Sequence, residues 1–237
     1  MISMAGLPSA AVSLGPTLRP DILATHFGST VMDCSGSDNP TYAHFAHWSK
    51  QPPVSVYFAP SIPSPLLASV RGGMAAWESE EHPAGTLAYQ VFSSAADIRV
   101  SFAPYDGVGN VLAYFAPNWA DPNHVHFVGG EMVFDSAEPW QPNLALDCTV
   151  GPGPNASKSV LDTSTHEFGH ALVGLADLYS SGTAGLTMHG YYHGGQDTLG
   201  QGDRLGIANA VWHYHGPGGG WPPGCDPNCP TPPESEP

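Results

Sequence analysis

The chain has 237 residues, enough for one domain with a real core plus tails. Its 6 Lys and Arg stand against 21 Asp and Glu, a formal net charge of −15, which disfavours nucleic acid and anionic membranes because their phosphates need cationic partners. No segment reaches the ~18 consecutive apolar residues of a membrane helix, so membrane insertion is not expected.

Residues 1–45 lack sustained periodicity and read as an irregular leader. The first twenty residues are mildly apolar but have no early Lys or Arg, and Pro8 and Pro16 interrupt them, which is a weak match to a secretory signal. "PVSVYFAP" (53–60) alternates apolar and polar residues and predicts a strand. "SPLLASVRGGMAAWESEE" (64–81) sets Leu66, Val70, Met74 and Trp77 at helical spacing despite Gly72 and Gly73, with Ser64 and Pro65 as a start signal.

Four strand candidates follow: "LAYQVFS", "DIRVSFAP", "NVLAYFAP" and "HVHFVGGEMVFD", separated by turns rich in Gly, Asp, Asn and Pro. The loop "DCTVGPGPNAS" leads into a helix running through His170. "TLGQGDRLGIANAVW" predicts a last helix, with Leu205, Ala208, Val211 and Trp212 on one face. Residues 216–237 are rich in Pro and Gly and read as a tail or linker. This order of elements predicts an α+β fold in one domain, residues 46–215.

Four cysteines, Cys34, Cys148, Cys225 and Cys229, fit an oxidising compartment and a secreted protein. Three pairings are possible. Cys34–Cys148 with Cys225–Cys229 is the expected one, and unpaired thiols are the alternative.

The chemistry concentrates in "THEFGHALVGLADLY" (165–179). His166 and His170 are four residues apart, so on a helix both imidazoles leave one face and can reach one zinc ion. Glu167 beside them can take a proton from an attacking water. A catalytic zinc takes a third protein ligand. No glutamate occurs between Glu167 and Glu234, so a later helix cannot supply one. A helix break at Gly174 followed by Asp177 can, because glycine takes the left-handed conformation that ends a helix.

At these residues the chain resembles the metzincins, whose zinc motif is HExxHxxGxx(H/D), and "HEFGHAL" is most similar to the matrixins. "GLTMHGYY" resembles the metzincin Met-turn, with Met188 beneath the metal. "GGEMVFDSAEPW" resembles the matrixin calcium segment, "AAWESE" the first-helix tryptophan region, and "TLGQGDRLGIANAVW" the closing helix. An aspartate as third ligand resembles the bacterial snapalysin-like and immune-inhibitor-like branches.

The resemblance implies a metzincin-type zincin fold: a mixed twisted sheet of about five strands, two long helices, a Met-turn and a C-terminal helix. It implies catalytic zinc on His166, His170 and Asp177, with Glu167 as general base. It also implies structural calcium at Glu131, Asp135 and Glu138, the alternative being solvated loop acids. The family's peptide substrate lies extended and antiparallel to an edge strand. "NVLAYFAP", with Leu112 and Ala113, best fits that strand, while Tyr191 and Tyr192 would wall the pocket after the cleaved bond. The implied activity is a secreted, monomeric zinc endopeptidase acting on polypeptides. The alternative is an inactive metzincin-like binding module.

The sequence departs from the family pattern at several points. Val173 is extra, so Gly174 and Asp177 each arrive one position late and Ala176 stands where the ligand would be. One added residue turns a helix by ~100° and lengthens it by ~1.5 Å. Either the Gly-x-x-Asp unit shifts intact, or Asp197, His189 or His193 takes the third position. Val133 and Tyr114 stand where the family's structural-zinc histidines would be. Cys34 resembles a propeptide cysteine switch only in the cysteine and the aspartate spacing. His124 and His126 alternate on a predicted strand and share a face, as exposed histidines or as a second metal pair.

Overall fold

A computed structural model describes residues 23–27, 38–80, 86–144 and 155–213, with 23–27, 181 and 211–213 described by backbone alone. The four cysteines, the 216–237 tail and most of the loop after Asp147 lie outside the described residues. The fold is α+β, with a mostly parallel mixed sheet and three helices among the described residues.

In chain order the main-sheet strands are β1 Leu23–Phe27, β2 His47–Trp48, β3 Val54–Phe58, β4 Ala88–Val91, β5 Ile98–Ala103, β6 Val111–Trp119 and β7 His126–Asp135. Two short strands, β8 Trp140–Gln141 and β9 Lys158–Ser159, form a separate pair, and β10 Tyr191–Tyr192 completes the main sheet. The main sheet runs β10-β1-β6-β7-β5-β3-β4, with β2 also on β7. Strands β3, β4, β5 and β7 are mutually parallel, whereas β6 is antiparallel to β7 and to β1. The five long strands expected from periodicity are present. Strand β6 lies outside β7 and not between its sequence neighbours, and within the stretch read as an irregular leader β1 forms a strand.

Helix α1 (Ser64–Glu78) starts with a proline in its first turn and buries Leu66, Val70, Gly73 and Trp77. Its mid-helix glycines have a packing reason. A Cβ on Gly73 would strike Ser164 and the Thr165 backbone, and one on Gly72 would press on Leu161. Each glycine costs about 1 kcal/mol of helix propensity, and the close approach to α2 (Val160–Phe168) offsets it. Across that contact Trp77 Nε1 donates to Thr165 O (2.7 Å) and Ser164 Oγ donates to Val70 O (2.7 Å).

Helix α2 is buried along its length from Asp162 to Phe168, so its polar residues need internal partners. Thr163 Oγ1 donates to Ser159 O and Thr165 Oγ1 to Leu161 O. Ser159 caps the helix, its hydroxyl accepting from Asp162 N–H and donating to Asp162 Oδ1. The core between sheet and helices includes Val56, Ile98, Phe115, Phe127, Met132, Phe134 and Phe168.

Helix α3 (Gln201–His213) departs from the expected face: Leu205 and Ala208 are exposed, and Gly202, Asp203, Gly206, Ile207 and Ala210 are buried. The reason is close packing. Cβ atoms on Gly202 and Gly206 would collide with Thr41 O and Leu175, so the helix docks closely through its glycines, with Ile207 and Ala210 buried beside them.

Candidate metal centre

Helix α2 ends at Phe168, and the chain continues as one widened helical turn over Gly169–Val173. Such a turn holds one more residue than an α turn, which is how the extra Val173 is absorbed. Gly174 then stops the helix in the left-handed conformation (φ 76°), and a Cβ there would collide with Ala46 O. Gly174 N–H donates to His170 O (3.0 Å) and Leu175 N–H to Gly169 O (3.2 Å). The chain from Gly174 then carries Asp177 back toward the two histidines.

The result is a tight convergence. His166 Nε2 lies 3.0 Å from His170 Nε2 and 3.0 Å from Asp177 Oδ1, and His170 Nε2 lies 3.5 Å from the same oxygen. Both rings are fully buried. Among the described residues this is the one group of three or more His, Cys, Asp or Glu side chains arranged to hold a metal ion.

Proton positions follow from the partners. His166 Nδ1 meets Thr187 O at 2.7 Å, and His170 Nδ1 meets Leu175 O at 2.6 Å. A carbonyl only accepts, so each Nδ1 carries the proton and each Nε2 of the neutral ring presents a lone pair. With both rings neutral, three acceptor atoms face one another, and they repel unless a cation, a metal ion or a proton, sits among them. Ligands about 2.0–2.1 Å from a tetrahedral zinc stand roughly 3.3 Å apart, and the three separations bracket that value. The donor set fits zinc.

Asp177 is held from its other side. Tyr179 Oη donates to Asp177 Oδ2 (3.2 Å), and the Tyr179 and Tyr191 rings meet edge to face at 5.3 Å. Burial raises the Asp177 carboxyl, whereas His170 and His166, in their protonated form, hold it far below the usual carboxylate range. Burial, with Asp177 beside it, pushes the Tyr179 phenol up, so the hydroxyl remains a donor. Tyr179 was not among the residues expected from sequence; its spacing two residues after Asp177 is the one available signal. A Tyr179→Phe variant is expected to bind a divalent metal roughly tenfold more weakly in competition with a chromophoric chelator, as is usual when a group orienting a ligand is lost.

Glu167 is fully buried on α2 between the two histidines in sequence, and its charge is felt at Tyr179. Met188 is buried against the widened turn, where a Cβ on Gly169 would meet its Sδ and Trp77. Its turn is fastened by Asp203, whose carboxylate accepts from Thr187 N–H (2.9 Å), Met188 N–H (3.3 Å) and Gly200 N–H (2.7 Å). Asp203 too was missed, because an acidic residue in a first helical turn reads as a surface group.

The fallback ligands stand apart from the group of three. His193 Nδ1 meets Gly194 O, and His189 Nδ1 meets Thr183 Oγ1, whose own proton goes to Ser180 O. Both rings are buried, and burial first, then their histidine neighbours, lower them, His189 to about 4. Asp197 interacts with Asp162 instead.

Other expected residues are placed differently. Glu131 is exposed and pairs with Arg99 (3.1 Å). Asp135 is buried and accepts from the backbone N–H groups of Tyr105, Asp106, Gly107 and Ala137, and Glu138 accepts from Gly109. The three carboxylates expected at calcium do not form one group: Glu131 is exposed and paired with Arg99, and the other two accept from the 104–110 loop. Tyr191 is partly exposed. Tyr192 is buried, its hydroxyl accepting from Ser159 N–H (2.6 Å), so it braces the start of α2. Leu112 and Ala113 are buried in β6, whose outer edge is covered by β1 and so is not a free edge. His124 stacks on Trp119 at the turn before β7, and His126 pairs with Asp121, so the two do not share a site.

Asp162 at the head of α2 is pushed up to about 6, chiefly by burial, with the Ser159 hydroxyl opposing and Asp197 adding to the rise. A folded value above the ordinary carboxylate value means the native state binds this proton more tightly than the unfolded chain. Its contribution is full below pH ~4 and is lost as pH rises through about 6. Thermal unfolding between pH 4 and 6.5 is expected to show a decline of about 2–3 kcal/mol in wild type that is absent in Asp162→Asn.

No protein-family model matches the chain, and no curated protein matches it in sequence.

Proposed function

We propose that this chain is a zinc-dependent endopeptidase of metzincin type, most similar to the matrixins. One observation carries the reading: the bare nitrogens of His166 and His170 and the Asp177 Oδ1 face one another at 3.0, 3.0 and 3.5 Å, with Glu167 on the same helix. The mixed sheet with α1 and α2, the buried Met188 turn and α3 support the reading.

In this reading His166, His170 and Asp177 hold the ion, which supplies Lewis acidity at an open coordination position. Thr187 O and Leu175 O fix the tautomers and orientation of the two histidines, and Tyr179 fixes Asp177. Glu167, buried beside them, takes a proton from the attacking water and delivers it to the leaving amine. Among the described residues no three carboxylates gather as a calcium site, so the proposal is limited to zinc. The inactive-module alternative rested on a misplaced third ligand, and the position of Asp177 gives it no support.

The test is a zinc titration of chelated protein combined with cleavage of a quenched mixed-sequence peptide library. One tightly bound zinc and cleavage abolished by chelator are expected. Zinc bound without any cleavage would overturn the enzyme assignment.

A further inference from the structure

The segment after Met188 holds three further buried acceptors that the metal centre does not use. His189, His193 and Gln196 are each at most 2% exposed. Their atoms His189 Nε2, His193 Nε2 and Gln196 Oε1 are buried and have no hydrogen-bond partner among the described residues. Buried side-chain polar atoms are normally paired, so three on one short segment need an explanation.

The neighbours fix which atoms carry protons. His193 Nδ1 meets Gly194 O at 2.8 Å, and a carbonyl only accepts, so the proton is on Nδ1. His189 Nδ1 meets Thr183 Oγ1 at 3.2 Å, and that hydroxyl gives its own proton to Ser180 O (2.8 Å), so here too Nδ1 is the donor. Burial holds both rings below the ordinary imidazole value, so each is neutral at neutral pH and each Nε2 is a bare lone pair. The Gln196 amide is fixed in the same way. Its Nε2 donates to His189 O (2.8 Å) and Thr187 O (3.3 Å), which leaves Oε1 as an acceptor. Gly194 and Gly195, at φ 88° and 73°, turn the chain after β10 so that Gln196 returns to His189.

A water has two protons and can serve two of these acceptors, not all three. A metal ion can take a lone pair from each. The ring centres of His189 and His193 are 5.4 Å apart. Two imidazoles on one tetrahedral ion have ring centres roughly 5 Å apart when each nitrogen lies about 2.0–2.1 Å from it, and His166 and His170 in the first centre stand at 4.7 Å. Neutral imidazoles suit zinc and its first-row neighbours, whereas calcium and magnesium take all-oxygen sets.

We propose that His189 Nε2, His193 Nε2 and Gln196 Oε1 form a second site for a divalent transition ion, separate from the His166, His170 and Asp177 centre. It also lies apart in the chain from Val133 and Tyr114, where the resembled family's structural zinc would be. The two sites share a carbonyl: Thr187 O accepts from His166 Nδ1 (2.7 Å) and from Gln196 Nε2. An ion on Gln196 Oε1 polarises that amide and strengthens its donation to Thr187 O and His189 O, so the second ion steadies the turn that orients the first. The second ion is held more weakly than the first, because no carboxylate among its ligands balances the charge.

The experiment is a calorimetric titration of the chelated full-length chain with zinc alone. Wild type is expected to show a tight step and a separate weaker one. His189→Gln and His193→Gln are each expected to keep the tight step and lose the weaker one, and Asp177→Asn to weaken the tight step and keep the other. His126→Gln, an exposed histidine beside Asp121, is expected to change neither. A single step in wild type, or a weaker step that persists in both histidine variants, would overturn the site. Nitrogen NMR of the unmodified chain with labelled histidine gives a readout that needs no variant. Four ring Nε2 signals are expected to shift as zinc saturates, two for each site. If only two shift, the three acceptors are met by water and the proposal falls. Cleavage enters neither readout, so the second site and the protease reading fail independently.

Discussion

Glu167→Gln is expected to lower peptide cleavage by roughly 10²–10⁴-fold, the usual contribution of a general base, while leaving one zinc bound per chain. The glutamine keeps the shape of the side chain and loses only the ability to accept and carry a proton. Glu167 is not one of the three converging atoms, so metal affinity has no reason to change. The measurement is chelator-sensitive turnover beside metal content for the same preparation. Turnover near the wild-type value would remove Glu167 from the mechanism, and loss of zinc would mean that the residue supports the centre and not the chemistry.

Asp177→Asn separates a metal centre from a structural ion pair. If the cluster exists to hold zinc, the carboxylate is a ligand, and its loss is expected to weaken affinity by at least a hundredfold. With zinc at about 100 times the wild-type Kd, ligand binding stabilises the wild type by ~2.7 kcal/mol, and a hundredfold weaker variant by only ~0.4 kcal/mol. In metal-free protein the direction reverses. Asparagine brings an N–H donor to His166 Nε2, where wild type has a lone pair facing an oxyanion at 3.0 Å. The metal-free variant is therefore expected to be as stable as wild type, or more stable by about 1 kcal/mol. If Asp177 instead forms a permanent ion pair with protonated histidine, the variant would lose stability with no metal present. Thermal unfolding of both proteins, with chelator and with zinc, distinguishes the two.

Much of this protein is determined by local sequence. Helical spacing alone sets His166 and His170 on one face, because 3.6 residues per turn leaves no other choice. Alternation in "VSVYF" and the apolar positions of α1 sufficed for those elements. Other features needed the tertiary structure. Whether Val173 spoils or spares the third ligand turns on a widened turn and on Gly174 lying against Ala46 O, contacts that no spacing rule contains. Strand β10 has two residues, too few to carry a periodic signal, and forms by pairing with β1, which pairs in turn with β6. The acids divide in the same way. Asp135, Glu138 and Asp203 read alike as surface or calcium carboxylates in one dimension. In the folded chain each is consumed by backbone N–H groups from loops brought to it, because a buried carboxylate must be satisfied by whatever donors the fold places nearby.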